Sequence, residues 1–292
     1  MTSSTYETVL STLFRSYQLP LDQNLKQIVG EEAFSKIDAA QPEPRSLKEF
    51  FFPKRDYLSQ VHYSWMKEPI ESLTGRMQSY LIACLEEPQR VKLADLFQIA
   101  ELPQGLKPLI THLLLTDFVK KLGLENFDVT RFRENLLFPL FELSKKELVT
   151  TIDLLGVYDI ANELRQVVGK QRLQKIVLSL SKEQQSFLKE ILAHHDKWPL
   201  PKLGLEQWRE DLKSLKRAVH KRGIYRLSVA VKEEGDDFVD ALVLKLDIGR
   251  GKQLKKQMAP ERQEEIKEMQ VKEFRKQVIK AIEYATRQTK SV

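Results

Sequence analysis

The sequence predicts an all-α protein of stacked short helices, on three observations. Ser144 stands three residues before Glu147 and Ser181 three before Gln184, so each hydroxyl can cap an orphan amide while the later side chain reaches back to the backbone. Apolar residues recur at three- and four-residue steps through most of the chain. Only 11 of the 292 residues are glycine, Leu, Lys, Glu and Gln are abundant, and runs of Val and Thr are scarce, which favours helix over sheet.

The stretch from Leu143 to Ala193 organises the rest. The two capping serines lie 37 residues apart and each follows a leucine, a faint internal repeat that suits an armadillo-like architecture. Between them, Gly156 and Gly169 are expected to end helices in left-handed conformation. Val157, Ile160, Ala161, Leu164 and Val168 would form one apolar face, with Asp159, Glu163 and Arg165 lying off it.

Upstream, Tyr6 to Tyr17 and Leu25 to Ile37 suggest two short helices separated at Leu19-Pro20. Pro42, Pro44 and Pro53 then surround Phe50, Phe51 and Phe52, as in a connector that pins aromatics onto a neighbouring surface. Leu73, Met77, Tyr80, Leu81 and Leu85 are spaced as a buried face. His62 and Trp65 are one turn apart if helical, and the expected arrangement is a Trp anchoring the core with His62 hydrogen-bonded beside it. The lone Cys84 reads as a small core residue. From Leu109 to Phe118 the chain is almost continuously apolar, which predicts a central helix, and Val129 to Leu140 leads through Pro139 into the organising stretch.

Downstream, Pro199, Pro201 and Gly204 interrupt the pattern and mark a hinge or boundary. Leu227, Val229 and Val231 alternate as in a hairpin, but Phe238, Leu242, Val243 and Leu246 share a helical face running toward a stop at Gly249, and helix is the preferred reading. Pro260 to Arg287 reads as one long helix with an apolar stripe at Ile266, Gln270, Phe274, Val278 and Ile282. The expected organisation is therefore an N-terminal helical segment with its proline-rich connector over 1–56, a central helical stack over 57–198, and a C-terminal helical unit over 199–292 that ends in a basic amphipathic helix.

Net charge is +6, and residues 252–292 carry 11 basic and 6 acidic side chains, so the body is close to neutral. No basic start with an apolar run and no stretch of about 18 apolar residues is present, which predicts a protein neither exported by a signal peptide nor integral to a membrane. Phosphate loops, dinucleotide fingerprints, His-Glu-x-x-His and the nucleophile elbow are all missing, which argues against an enzyme and against a cofactor or metal. His194-His195-Asp196 reads as a solvent-facing helix end. Lys213, Lys216, Arg217, Lys221 and Arg222 form a local basic cluster, the best site for a nucleic-acid alternative.

His62-Tyr63-Ser64-Trp65 resembles the His-x-Ser-Trp signature of the SctK-type accessory proteins of bacterial type III secretion systems. Leu246-Asp247-Ile248-Gly249-Arg250-Gly251 resembles the Leu-Asp-x-Gly-Arg-Gly ending of the same family, and the two together span roughly residues 50 to 256. The organising stretch is also similar to the armadillo-like modules of the flagellar switch protein FliG. The resemblance implies a non-enzymatic, cytoplasmic scaffold for protein transport. Such an adaptor belongs to the sorting platform at the cytosolic face of the inner membrane, bridging the cytoplasmic domain of an SctD-type ring protein and an SctQ-type pod protein. An SctL-type protein is a further candidate partner. His62, Trp65, Asp247, Gly249, Arg250 and Gly251 are then the signature or partner-binding candidates.

Overall fold

The structure is a computed structural model of the chain, and it describes residues 31–32, 34–35, 53–106, 108–124, 128–193, 198, 200–208, 211–259 and 266–290. Among them there is no strand, and the protein is all-α. No described helix is long and apolar enough to cross a membrane. The expected helix at Tyr6 to Tyr17, Phe50 to Phe52, His194-His195-Asp196 and Pro260 lie outside the described residues. The chain forms two compact units, Met1–Asp128 and Val129–Val292.

In the first unit, α1 (Pro53–Gln60), α2 (Tyr63–Glu71), α3 (Gly75–Cys84), α4 (Gln89–Leu96) and α5 (Pro108–Lys121) follow in order. The expected connector gives way to helix at Pro53, because a proline suits a first turn, where its missing N–H is not needed. The buried Gln89 ties α4 to the end of α1, its Nε2 donating to the carbonyls of Leu58 at 3.0 Å, Ser59 at 2.8 Å and Val61 at 3.1 Å. Helix α3 buries Leu81, Ile82 and Cys84 while Met77 is exposed, so its inner face is rotated from the expected one. The apolar run of α5 is not central all round: Leu115, Phe118 and Val119 face inward and α5 packs on α1 and α3, but Ile110 and Leu113 are exposed.

The second unit contains a 3-10 turn at Val129–Phe132, then α6 (Pro139–Glu142), α7 (Lys145–Leu164), α8 (Lys170–Ser179), α9 (Lys182–Ile191), a second 3-10 turn at Leu205–Gln207, α10 (Leu212–Ala230), α11 (Asp236–Lys245), α12 (Ile248–Gln257) and α13 (Glu268–Lys290). Both capping boxes form. The Glu147 N–H donates to Ser144 Oγ at 3.3 Å and the Ser144 N–H to Glu147 Oε2 at 2.8 Å. At the second box the corresponding distances for Gln184 and Ser181 are 3.2 and 3.0 Å. The preferred helical reading of Leu227 to Val229 also holds, since α10 runs through it. Helix α13 begins after Ile266 and Lys267, so the expected start at Pro260 is replaced by one at Glu268.

Gly156 does not end a helix. It sits inside the 20-residue α7, where it meets α10. A Cβ on Gly156 would lie 2.0 Å from the Val219 carbonyl oxygen, and one on Gly223 would lie 1.8 Å from that of Ile152. Two glycines on facing helices thus let the backbones cross closer than any side chain allows. Gly169 does take a positive φ of 113°, but as the residue ahead of α8. Helix α13 packs against both α7 and α10, burying Val271, Phe274, Val278 and Ala281. An aromatic cluster lies in the same unit, with the Phe238 ring edge-on to Phe132 at 5.2 Å and to Phe141 at 4.9 Å.

The described residues from Pro201 to Leu205, ahead of α10, are tied down within this unit. Glu163, buried at the end of α7, accepts the Leu203 N–H at 2.5 Å and the Leu205 N–H at 2.6 Å, and Arg222 donates to the Pro201 carbonyl at 2.6 Å. A carboxylate expected to lie off the apolar face instead satisfies two loop amides, a charge-assisted arrangement stronger than neutral pairs.

The crossing predicts the effect of a single methyl group. Gly223→Ala should destabilise the protein by about 3 kcal/mol or more, because α10 must move away from α7. Gly75→Ala, at a position with nothing within 4 Å of the new Cβ, should be neutral or stabilising by up to about 1 kcal/mol. Chemical denaturation of both variants checks this, and equal stabilities would refute the close approach.

Candidate functional site

Of the six sequence candidates, His62 and Trp65 belong to the first unit, and Asp247, Gly249, Arg250 and Gly251 to the second. His62 is the N-cap of α2. Its Nδ1 accepts the Ser64 N–H at 3.2 Å and lies 2.9 Å from Ser64 Oγ, so the ring does the work usually given to a hydroxyl or carboxylate. Trp65 stands in the first turn of α2 and is partly buried, with its N–H bonded to the His62 carbonyl at 3.0 Å. The expected proximity of His62 and Trp65 is found, although the indole is not fully enclosed.

The second group is built differently from the expected stop and turn. Helix α11 ends at Lys245, Leu246 is extended, and Asp247 starts α12. The Asp247 carboxylate accepts the N–H of Gly249 at 3.1 Å and of Arg250 at 3.2 Å, so Gly249-Arg250-Gly251 forms a first helical turn. A Cβ on Gly249 would sit 3.2 Å from the capping oxygen, a tight contact that Asp247 would have to shift slightly to relieve. Gly251 is buried.

Arg250 reaches back to Asp247 through Nη1. Its Nε donates to His220 Nε2 at 2.9 Å, and His220 Nδ1 lies 2.5 Å from Asp153 Oδ1. Since Nε2 must accept, the proton of His220 is on Nδ1, which donates a hydrogen bond to the Asp153 carboxylate. A polar chain Asp247–Arg250–His220–Asp153 therefore links α12, α10 and α7 at a partly exposed corner. Arg250 Nη2 has no partner among the described residues.

On the exposed side of α10, Lys213, Lys216, Arg217 and Lys221 are exposed, at three- and four-residue spacings that put them in a stripe with His220. The fifth member of the expected basic cluster, Arg222, is committed to the loop carbonyl of Pro201.

A deeper set of charges escaped the sequence reading. Arg226, wholly buried, grips Asp159 with two bonds, Nη2 to Oδ1 at 2.7 Å and Nε to Oδ2 at 3.2 Å, and gives Nη1 to Gln277 of α13 at 2.5 Å. Its guanidinium lies 4.7 Å from the Phe274 ring centroid and 5.5 Å from that of Tyr158. This pair holds the three long helices together and is far too enclosed to meet a partner. Removing either member alone would strand a buried charge.

Lys245, at the end of α11, is also buried and donates to the Phe141 carbonyl at the end of α6. Loss of solvation on burial pulls its ammonium from 10.5 to about 8, the positive Lys145 adds to this, and Glu142 and Glu147 oppose it. Burial likewise lowers Lys145.

No group of three or more metal-ligating side chains occurs among the described residues. In the first unit an open groove of about 980 Å³ is lined by Arg90, Val91, Asp95, Ile99, Glu101 and Leu102 among others, with no His, Cys, Ser or Thr in its walls.

The depressed Lys245 makes a pH prediction with a definite sign. Its folded value lies below the unfolded one, so the cost of keeping it charged is fully present below pH about 8 and is relieved as the pH rises toward 10.5. Lys245→Met should therefore gain up to about 3 kcal/mol relative to the parent near neutral pH, with the gain shrinking across that window. Denaturation of both proteins against pH measures it, and a constant difference would refute it.

Compared with protein-family models, curated proteins and solved structures, the chain matches none.

Proposed function

We propose that the chain is a non-enzymatic adaptor of a type III secretion sorting platform, acting in the cytosol at the inner membrane and bridging an SctD-type ring protein and an SctQ-type pod protein. The observation that supports this reading most is the Asp247 corner. The residues that resemble the Leu-Asp-x-Gly-Arg-Gly ending of SctK-type proteins form a built surface feature, with Asp247 spent on capping and Arg250 held in place by His220 and Asp247 while Nη2 is left over. An arginine so held loses little freedom when it meets a carboxylate, and its planar fork suits one. An all-α unit whose buried charges are spent on loop ties and helix pairing fits a scaffold.

A helical nucleic-acid-associated protein is the second reading, favoured by the exposed cations of α10, which pair with no carboxylate among the described residues. Co-purified nucleic acid in the absorbance ratio, with binding that weakens steeply in salt, would support it.

One variant tests the contact on which the adaptor reading leans. Arg250→Ala removes the side chain but leaves the Asp247 cap, so the melting temperature should change little, by the equivalent of about 1 kcal/mol or less. Co-purification with the ring-protein cytoplasmic domain and the pod protein should be lost. If capture survives with stability unchanged, Asp247 and Arg250 are not the contact.

A further inference from the structure

The basic stripe of α10 and the Asp247 corner of α12 read as separate features in the sequence, yet His220 joins them. It belongs to the stripe and accepts the Arg250 Nε–H at 2.9 Å. Lys216 and Arg217 stand four and three residues before His220 and are its neighbours on the helix surface, with Lys213 one turn further and Lys221 beside it. From Lys213 to Lys221 the stripe runs about 12 Å along α10.

No carboxylate among the described residues pairs with the side chains of Lys213, Lys216, Arg217 or Lys221. Elsewhere in the unit exposed cations do find partners, as Lys255 does with Asp240 at 2.8 Å and Lys272 with Glu268 at 2.5 Å. Like charges at helical three- and four-residue spacing repel each other and cost stability, so the stripe is a feature that the fold itself does not use.

We propose that this joined surface docks an acidic segment of a partner protein, whose carboxylates lie along Lys213, Lys216, Arg217 and Lys221 and engage Arg250 Nη2. The proposal rests on the adaptor reading and specifies the chemistry of its partner. A protein segment fits better than nucleic acid because the surface is not uniformly positive. Asp211 caps α10 at one end, and Asp153 and Asp247 stand at the other, with side-chain exposures of 34% and 27%. A polyphosphate would bring its evenly spaced charges against these three carboxylates, whereas a peptide can place neutral or basic residues opposite them.

The test uses the full-length chain with two labelled probes, an oligo-glutamate peptide and a single-stranded oligonucleotide of equal charge, followed by fluorescence anisotropy. The peptide should bind, more weakly as salt rises, and more tightly than the oligonucleotide. Lys216→Glu combined with Arg217→Glu, both at exposed positions, should bind the peptide at least about tenfold more weakly. The milder pair Lys213→Gln and Lys221→Gln should weaken it in smaller measure, and serves if the first pair folds poorly. Unchanged binding by these variants, an oligonucleotide bound as tightly as the peptide, or no binding of either probe overturns the proposal. The adaptor reading fails separately. If the ring and pod proteins are not captured while oligo-glutamate still binds through the stripe, the surface stands and the adaptor reading falls. If the double variant captures them as well as the parent does, the surface falls and the adaptor reading stands.

Discussion

The second unit depends on one steric fact, that the backbones of α7 and α10 touch. With Gly156 under Val219 and Gly223 under Ile152, the two helices lie so close that the residues just beyond the crossing are brought into each other's reach. Asp159 and Arg226 meet there in a fully enclosed pair, and Asp153 and His220 meet at its open edge. Helix α13 then covers the enclosed side through Gln277 and Phe274. A wider crossing would break both contacts at once, since an ion pair in a dry interior tolerates separation poorly.

The same approach explains why the exposed corner is ordered. Arg250 is a long side chain on the first turn of a 10-residue helix, and left alone it would sample many rotamers. Here His220 accepts from one edge of its guanidinium and is itself aimed by Asp153, which belongs to the most buried helix of the unit. The orientation of a surface arginine is thus passed outward from the core through two hydrogen bonds.

What could be seen in the sequence was what is local. Each capping box spans three residues, and both formed as expected. The all-α class also followed from composition and spacing. Gly156 and Gly249 were misjudged for a common reason: a glycine inside a periodic pattern looks like a stop, and only the facing Val219 backbone shows why a side chain is excluded at the first, and only the Asp247 cap shows that the second opens a helix. Asp159 and Glu163 were expected off the apolar face, but α7 is covered on nearly all sides and has no solvent face there for them. Their partners sit 67 and about 40 residues away, beyond any helical periodicity. For the corner, Asp247, Gly249, Arg250 and Gly251 were named in advance, while His220 and Asp153 were not, since the bonds joining them cross 30 and 67 residues of chain.

The tie from Glu163 to Leu203 and Leu205 bears on how the gene product can be divided. A break at the prolines looks natural on paper, yet the piece before it would keep α7 stripped of α10 and α13, and the piece after it would carry Gly223 and Arg226 with nothing to lie against. Each half would expose a long apolar groove and an orphaned charge, and would tend to aggregate or to seek the other half. The segment is a seam sewn shut from inside, and a cut at Asp128/Val129 respects the cores that a cut at 198/199 would split.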